Sequence, residues 1–195
     1  MPLPPDVIGL LAGLRQGSAV DEIRAARPVA RTEAQRSFQA LFEPADPAGV
    51  SLVERLAVAT FVAGLHADPA STLFYGARLA ALAEGLSDLI AVQIGRGQTQ
   101  GPYGGYPDGP LAAERQDGPR FRIGEPDAAG LGPRLAAALA HAHLLVFHPR
   151  DAGPEDLRKL TDAGFDANAI VTLSQLVAFL SFQVRTIQGF RVLAA

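Results

Sequence analysis

Apolar residues recur along most of this chain at alternating spacings of three and four. Near the C-terminus they form one sustained stripe, whose members are Ile170, Leu173, Val177, Leu180, Val184 and Ile187. Because an α-helix turns once in about 3.6 residues, this spacing collects the stripe on one side of a helix, whereas a β-strand needs a period of two. The sequence therefore predicts an all-α fold.

Residues 1–50 predict three short helices. The first follows Asp6, and the second follows Ser18 and stops at Pro28. Asp and Ser are favoured N-cap residues, and the residue before a proline is disfavoured in a helix. The third helix is expected over about residues 29–42, with a proline-rich connection after it. We interpret this section as a helical N-terminal extension.

Residues 51–94 are expected to form the core of the fold. Ser51 is predicted to cap the first helix, with Glu54 three residues later as its capping-box partner. That helix is apolar on most sides, so it should be buried. Asp68-Pro69 is predicted to end it, because proline fits the first turn of a new helix and disfavours helical geometry in the residue before it. Asp68 is then the N-cap of the second core helix.

The second core helix is predicted to continue to Gly85, and another helix should cover about residues 87–94. Residues 95–131 are rich in Gly and Pro, show no periodicity and contain Tyr103 and Tyr106, which we expect to be exposed. A loop of this length is uncommon in a compact domain and is either functional or mobile. We interpret it as an arm that covers a neighbouring subunit or the mouth of a pocket.

Residues 132–195 predict three more helices. The first stops at His148, the second is short, and the last is long and capped by Asp166. Phe179 and Phe182 are expected to widen the apolar stripe of the last helix. Such helices favour packing in a bundle or against a symmetry-related copy. The whole chain is therefore predicted to be a single helical domain.

The composition excludes several kinds of chemistry. The 195 residues include no cysteine, which excludes disulfides, thiolate nucleophiles, zinc-thiolate sites and iron-sulfur clusters. The net charge is -3, without a basic cluster, so no nucleic-acid partner is expected. The motifs of dinucleotide-binding proteins, P-loop proteins, serine hydrolases and zincins do not occur, so we expect no cofactor.

The first residues of the chain also lack the basic start of a signal peptide, and Asp6 interrupts their apolar run. No uncharged apolar run reaches the roughly 18 residues that span a bilayer. We therefore expect a cytoplasmic protein with no membrane partner.

The helix, Asp-Pro break and helix of residues 51–84 resemble the core of the alkylhydroperoxidase D and carboxymuconolactone decarboxylase superfamily. Redox members of that family carry Cys-x2-Cys-x3-His across the same break, with a glutamate upstream. Asp68 and Ser71 stand here at the two cysteine positions, and Tyr75 stands at the histidine position. Residues 132–193 resemble the C-terminal part of the family's peroxidase-related branch. The resemblance implies a helical bundle of that type, which we expect to form a homo-oligomer.

Without thiols, the peroxidase mechanism of the family is excluded, because neither aspartate nor serine cycles between thiol and disulfide. Acid-base chemistry on a small organic molecule remains. The candidate base is His66, two residues before the break. Further candidate catalytic residues are Tyr75, Glu54, Asp68 and Ser71. A structural role stays open for each: a helix-end histidine bonded to backbone or water, a core tyrosine, a capping-box glutamate and an N-cap aspartate.

Two hypotheses of function follow. In the first, the chain is a peroxidase-related enzyme by descent that uses thiol-independent chemistry. In the second, it has lost catalysis and acts as a binding or assembly subunit. An accessible cavity at His66 and Tyr75 would favour the first, and a site filled by Phe or Leu side chains would favour the second.

The remaining polar residues of interest lie on apolar helices. His141 and His143 are two residues apart on a helix, so they point about 200° apart and cannot easily bind one ion together. His148 lies two turns beyond His141 and is also a poor co-ligand, so we expect no metal site. Arg185 is expected to pair with a buried carboxylate such as Glu54 or to bind an anionic substrate.

Overall fold

The computed structural model describes residues 2–195 and contains ten α-helices in that range. They are α1 (Val7–Ala12), α2 (Ala19–Ala25), α3 (Pro28–Phe42), α4 (Leu52–Leu65), α5 (Pro69–Ala80), α6 (Leu86–Gly97), α7 (Glu125–Leu131), α8 (Pro133–Phe147), α9 (Pro154–Asp162) and α10 (Ala167–Ala194). These residues include no β-strand and only one isolated bridge, between Gly104 and Gln116. The predicted all-α fold is confirmed.

Five helices start at the caps that the sequence predicts. The side chains of Asp6, Ser18, Ser51, Asp68 and Asp166 each accept a hydrogen bond from a backbone N–H of the first turn. The first turn of a helix leaves four N–H groups without a partner inside the helix, and a cap satisfies one of them. The beginnings of these helices are therefore fixed by residues close in sequence.

Two helix ends differ from the prediction. α5 ends at Ala80, before the expected end at Gly85, and α6 continues to Gly97 through a stretch expected to be loop. The loop predicted for residues 95–131 is also shorter at its other end, because the last residues of that range form α7. What remains is a segment of residues 98–124, which we call the strap. Glycine is a poor helix former, so the extension of α6 is a tertiary effect.

α4 lies at the centre of the bundle. It packs against α5, α6, α8 and α10, and every residue from 55 to 65 is buried. The predicted stripe of α10 is buried from Leu173 to Ile187 and faces α1, α4 and α8. Phe182 was expected to widen that stripe, but it lies half exposed on the opposite side. The core is thus formed by α4, the inward face of α10 and the helices around them.

α10 is the one helix of the described range that is long and apolar enough by itself to cross a membrane. Its most apolar window has a mean hydropathy of 1.5, and 44% of that window is buried inside the bundle. α7 and α8 meet the same criteria only together, and they are bent by 111°. Packing of the inward stripe accounts for the buried part of this window.

The strap lies along the end of α8. Tyr103, expected to be exposed, is only 6% exposed, and its backbone N–H donates to the carbonyl of Phe147 at 2.6 Å. Gly118 lies so close to the Tyr103 ring that a Cβ at position 118 would be 2.2 Å from it. The strap therefore belongs to the packed structure, and the prediction of an exposed Tyr103 is wrong.

Candidate functional site

The break between α4 and α5 begins two residues before the proline. The N–H of Ala67 donates to the carbonyl of Gly64 at 2.9 Å, and the N–H of Asp68 donates to that of Ala63 at 3.2 Å. This pair of bonds is a Schellman motif. Ala67 has a φ of 52°, a left-handed conformation that costs a non-glycine residue about 1 kcal/mol. The Schellman motif at the end of α4 and Pro69 at the start of α5 therefore both determine where the break lies.

Glu54 is held at the start of α4. One of its oxygens accepts hydrogen bonds from the N–H and hydroxyl of Ser51, at 2.7 and 2.8 Å. The other accepts from Nε of Arg134 at 2.6 Å. The predicted pairing with Arg185 is wrong, since Arg185 is exposed and forms no ion pair with any residue that the structure describes. Both oxygens of Glu54 have structural partners.

Asp68 is 1% exposed and links α5 to α10. One oxygen accepts from the backbone N–H of Ser71 at 2.8 Å, and the other pairs with Arg191. Burial alone would raise the pKa of Asp68, but the backbone hydrogen bond from Ser71, together with the hydrogen bond and charge of Arg191, outweighs burial and holds that pKa below its usual value. Asp68 therefore stays ionised near neutral pH and has no proton to give.

Tyr75 and Ser71 are fully buried on α5. The Tyr75 hydroxyl donates to Oε1 of Gln183 at 2.5 Å, and its ring stacks on Phe42 at 5.2 Å and meets Phe74 edge-on at 5.0 Å. Burial raises the pKa of Tyr75 far above its usual value. The hydroxyl of Ser71 has no hydrogen-bond partner in the described part of the chain. Phe42 and Phe74 thus pack against the Tyr75 ring.

His66 lies half buried at the end of α4. Its Nε2 is 3.0 Å from the Ser181 hydroxyl on α10. Burial, with a smaller effect of Arg185, lowers the pKa of His66 to about 4, so the ring is neutral at pH 7. Such a ring is a weak base at neutral pH. Of the five candidate catalytic residues, only Asp68 and Ser71 form a hydrogen bond with each other. His66, Tyr75 and Glu54 each bond to residues that are not candidates.

A more open region lies beside α8, and we call it the α8 cavity. It has a volume of about 420 Å³ and mostly apolar walls. These are typical properties of sites that bind small molecules. α8, α9 and the strap form the walls, which consist of Arg120, Phe121, Arg122, Ile123, Ala136, Ala137, Ala140, His141, His143, Leu144, His148, Asp156 and Lys159.

His141 and His143 contribute their rings to these walls. Nε2 of His141 is 3.1 Å from the Ser174 hydroxyl, while its Nδ1 is buried without a partner among residues 2–195. Nε2 of His143 donates to the carbonyl of Gly97 at 2.9 Å, and its ring stacks on Phe121 at 4.8 Å. Burial lowers the pKa of both rings, so both are neutral at pH 7.

His148 fastens the strap to the end of α8. Its Nδ1 is 3.0 Å from a carboxylate oxygen of Asp151, and its Nε2 is 3.0 Å from the carbonyl of Pro119. Both partners are acceptors, so the ring satisfies both only when both nitrogens carry hydrogen. Arg120 donates to the same Asp151 oxygen at 3.1 Å. These contacts fix the wall that the strap contributes to the α8 cavity.

The three histidines do not share a ligand site for a metal. Within the part of the chain that the structure describes, no group of three or more His, Asp or Glu residues is placed to hold an ion. Sequence reasoning considered these histidines only as metal ligands and missed their common cavity. It also missed their hydrogen-bond partners. Ser174, the partner of His141, lies on a different helix, so nothing in the sequence around His141 indicates it.

Comparison with known proteins adds no relative. No family model matches the chain. No curated protein matches it either. The resemblance to the alkylhydroperoxidase D and carboxymuconolactone decarboxylase superfamily therefore stays a prediction, and what is established is an all-α, cysteine-free fold with a small-molecule-sized cavity beside α8.

Proposed function

We propose that this chain binds a small, mostly apolar molecule in the α8 cavity, and that it is a cysteine-free relative of the alkylhydroperoxidase D and carboxymuconolactone decarboxylase superfamily. One observation carries the binding proposal: a 420 Å³ cavity has His141 in its wall, and Nδ1 of that buried ring lacks a partner. Apolar walls provide affinity by removing ligand surface from water, and a few polar groups fix the ligand's orientation.

The α4–α5 break supports binding elsewhere rather than catalysis there. The carboxylates of Glu54 and Asp68 each serve a helix cap and an arginine. Tyr75 donates its hydroxyl hydrogen to Gln183 inside a group of aromatic rings. A group already engaged in this way must break a stabilising bond before it can act on a substrate. Acid-base chemistry at His66 and Tyr75 stays a prediction, as do the homo-oligomer and the cytoplasmic location.

The strap supports the same proposal. Phe121 from the strap stacks on His143 and also contacts Phe61 of α4, with ring centres 5.5 Å apart. Ile123 follows it in the wall of the cavity. Of the two sequence interpretations of this segment, these contacts favour the cover of a pocket over an arm that reaches a neighbouring subunit. The strap gives the cavity an aromatic wall that α8 and α9 alone would lack.

Titration with benzofuran, followed by NMR, tests the proposal. We expect saturable binding, with shift changes concentrated in α8 and in strap residues 120–123. Ala140→Leu places three further carbon atoms at the wall, in space that the ligand would occupy, so it should weaken binding by about tenfold, because steric overlap of this size costs roughly 1–3 kcal/mol.

The matched control is Ala129→Leu, an exposed position on α7 outside the cavity wall. It should leave the affinity unchanged. Absence of saturable binding to the original chain, or equal binding by the Ala140→Leu variant, would contradict the proposal.

A further inference from the structure

We infer that the ligand of the α8 cavity carries a carboxylate, and that Arg122 at the mouth of the cavity recognises it. This inference rests on the proposed function, and it adds the chemical class of the ligand: an apolar body with one anionic group. The charges of the residues that line the cavity carry the argument.

The lining of the α8 cavity is more positive than the chain as a whole. Among the described residues that line it, three are cationic, Arg120, Arg122 and Lys159, and one is anionic, Asp156. These side chains leave an excess of two positive charges in the lining, whereas the whole chain has a net charge of -3. The excess therefore belongs to this cavity and does not follow from the composition of the protein.

Two of the three cations already have a carboxylate partner. Lys159 pairs with Asp156 at 2.9 Å, and Arg120 pairs with Asp151 at 3.1 Å. Arg122 forms neither an ion pair nor a side-chain hydrogen bond with any of residues 2–195. One positive charge of the lining is thus left without a counter-charge.

Arg122 borders the opening of the cavity. It is exposed to solvent although it lines the cavity, whereas its neighbours Phe121 and Ile123 are half-buried in the wall. An arginine can lay its stem along apolar surface and keep its charged head in water. A ligand can therefore place its apolar body against the wall and its anionic group at the mouth, where neither charge has to be fully buried.

A carboxylate is the anion that suits this residue. The planar guanidinium of arginine donates two parallel N–H groups to the two oxygens of a carboxylate. Because the pair would stay partly exposed, its contribution is modest, about fivefold in the dissociation constant at low ionic strength. Salt screens such a pair, so the contribution should fall as the ionic strength rises.

The experiment is a titration of the full chain with benzofuran-2-carboxylate and with benzofuran-2-carboxamide, read by calorimetry, with benzofuran as the reference. The two derivatives have nearly the same shape, and only the first is charged. We expect the carboxylate to bind about fivefold more tightly than the carboxamide, and this preference to shrink when the ionic strength is raised from about 0.05 to about 0.5 M.

Arg122→Gln should abolish the preference for the carboxylate. The matched control is Arg15→Gln, which removes another exposed arginine that has no ion pair among residues 2–195 and lies outside the cavity lining. This control should keep the preference of the original chain.

The outcomes distinguish the inference from the proposed function. If none of the three probes binds, the proposed function itself is wrong. If the probes bind but the carboxylate has no advantage over the carboxamide, or if Arg122→Gln keeps that advantage, the cavity binds ligands and the inference is overturned. Should Arg122→Gln fail to fold, nitrogen-15 NMR of the original chain decides the question: the Nε resonance of Arg122 should move on addition of the carboxylate but not of the carboxamide.

Discussion

Replacing Arg55 with methionine should destabilise the protein by about 3–5 kcal/mol. Arg55 is 2% exposed in the first turn of α4, and no carboxylate among residues 2–195 lies within ion-pair distance of it. Its guanidinium instead donates to three backbone carbonyls. Nε donates to Val50 at 3.0 Å, Nη1 to Leu41 at 2.9 Å and Nη2 to Pro47 at 2.7 Å.

The magnitude follows from those three bonds. The last carbonyls of a helix have no partner inside it, so Arg55 satisfies the end of α3 and the connection from α3 to α4. A hydrogen bond from a charged donor contributes about 1.5–3 kcal/mol, so three contribute about 4.5–9 kcal/mol. Burial of the charge offsets several kcal/mol of this, and the same burial lowers the pKa of Arg55. Methionine keeps most of the aliphatic stem, so lost packing adds little.

Urea denaturation followed by circular dichroism measures the change, provided that the slope with urea stays constant. The matched control is Arg36→Met, which removes an exposed ion pair with Glu33 and should cost less than about 0.5 kcal/mol. A loss below about 1 kcal/mol for Arg55→Met would refute the view that these carbonyls depend on the guanidinium. A gain in stability would mean that the cost of burying the charge exceeds the value of its bonds.

Three further predictions concern other sites. The pKa of His66 is about 4 in the folded chain and 6.5 as the ordinary value, so its contribution to stability is complete above about pH 6.5 and is lost as pH falls toward 4. The loss of stability by pH 5 is about 1–2 kcal/mol after allowance for partial exposure. Urea denaturation at pH 7 and pH 5 should therefore show a smaller decrease in the free energy of unfolding for His66→Gln than for the original chain. An identical decrease in both proteins would rule this out. Asp68→Asn keeps an N-cap but leaves Arg191 without its counter-charge, so it should lower the free energy of unfolding by about 2 kcal/mol at pH 7. The loss should be smaller below the low pKa of Asp68, because the original carboxylate is also neutral there. A loss that does not depend on pH would contradict the ion pair. Gly64→Ala places a Cβ 2.4 Å from a side-chain carbon of α6 and should destabilise the protein by about 1–3 kcal/mol. Gly189→Ala has open space around the new Cβ and should stabilise α10 by up to about 1 kcal/mol. Equal shifts of the two variants in thermal melts would show that the packing at position 64 is looser than described.

The candidate site shows the limits of local reasoning. The Asp-Pro break correctly indicated that Asp68 caps a helix, because the cap and its partner Ser71 are three residues apart. The position of His66 just before the break and the family spacing at Tyr75 suggested catalytic roles for both, yet their polar contacts in the structure are to residues of α10. The roles of these side chains depend on which helix lies opposite, and spacing within one helix carries no information on that.

The sequence by itself determined the all-α class, the starts of five helices and the inward face of α10, because each depends on interactions within a few positions along the chain. Only the tertiary structure decided the partners that polar side chains find on other helices. Arg134 reaches Glu54 over 80 positions, and Tyr75 reaches Gln183 over 108. It also decided how far α6 extends, against the low helix propensity of glycine, and it decided the burial of Tyr103 in the strap. Long-range packing selects these contacts from many that the local pattern permits, and the α8 cavity exists only where α8, α9 and the strap meet.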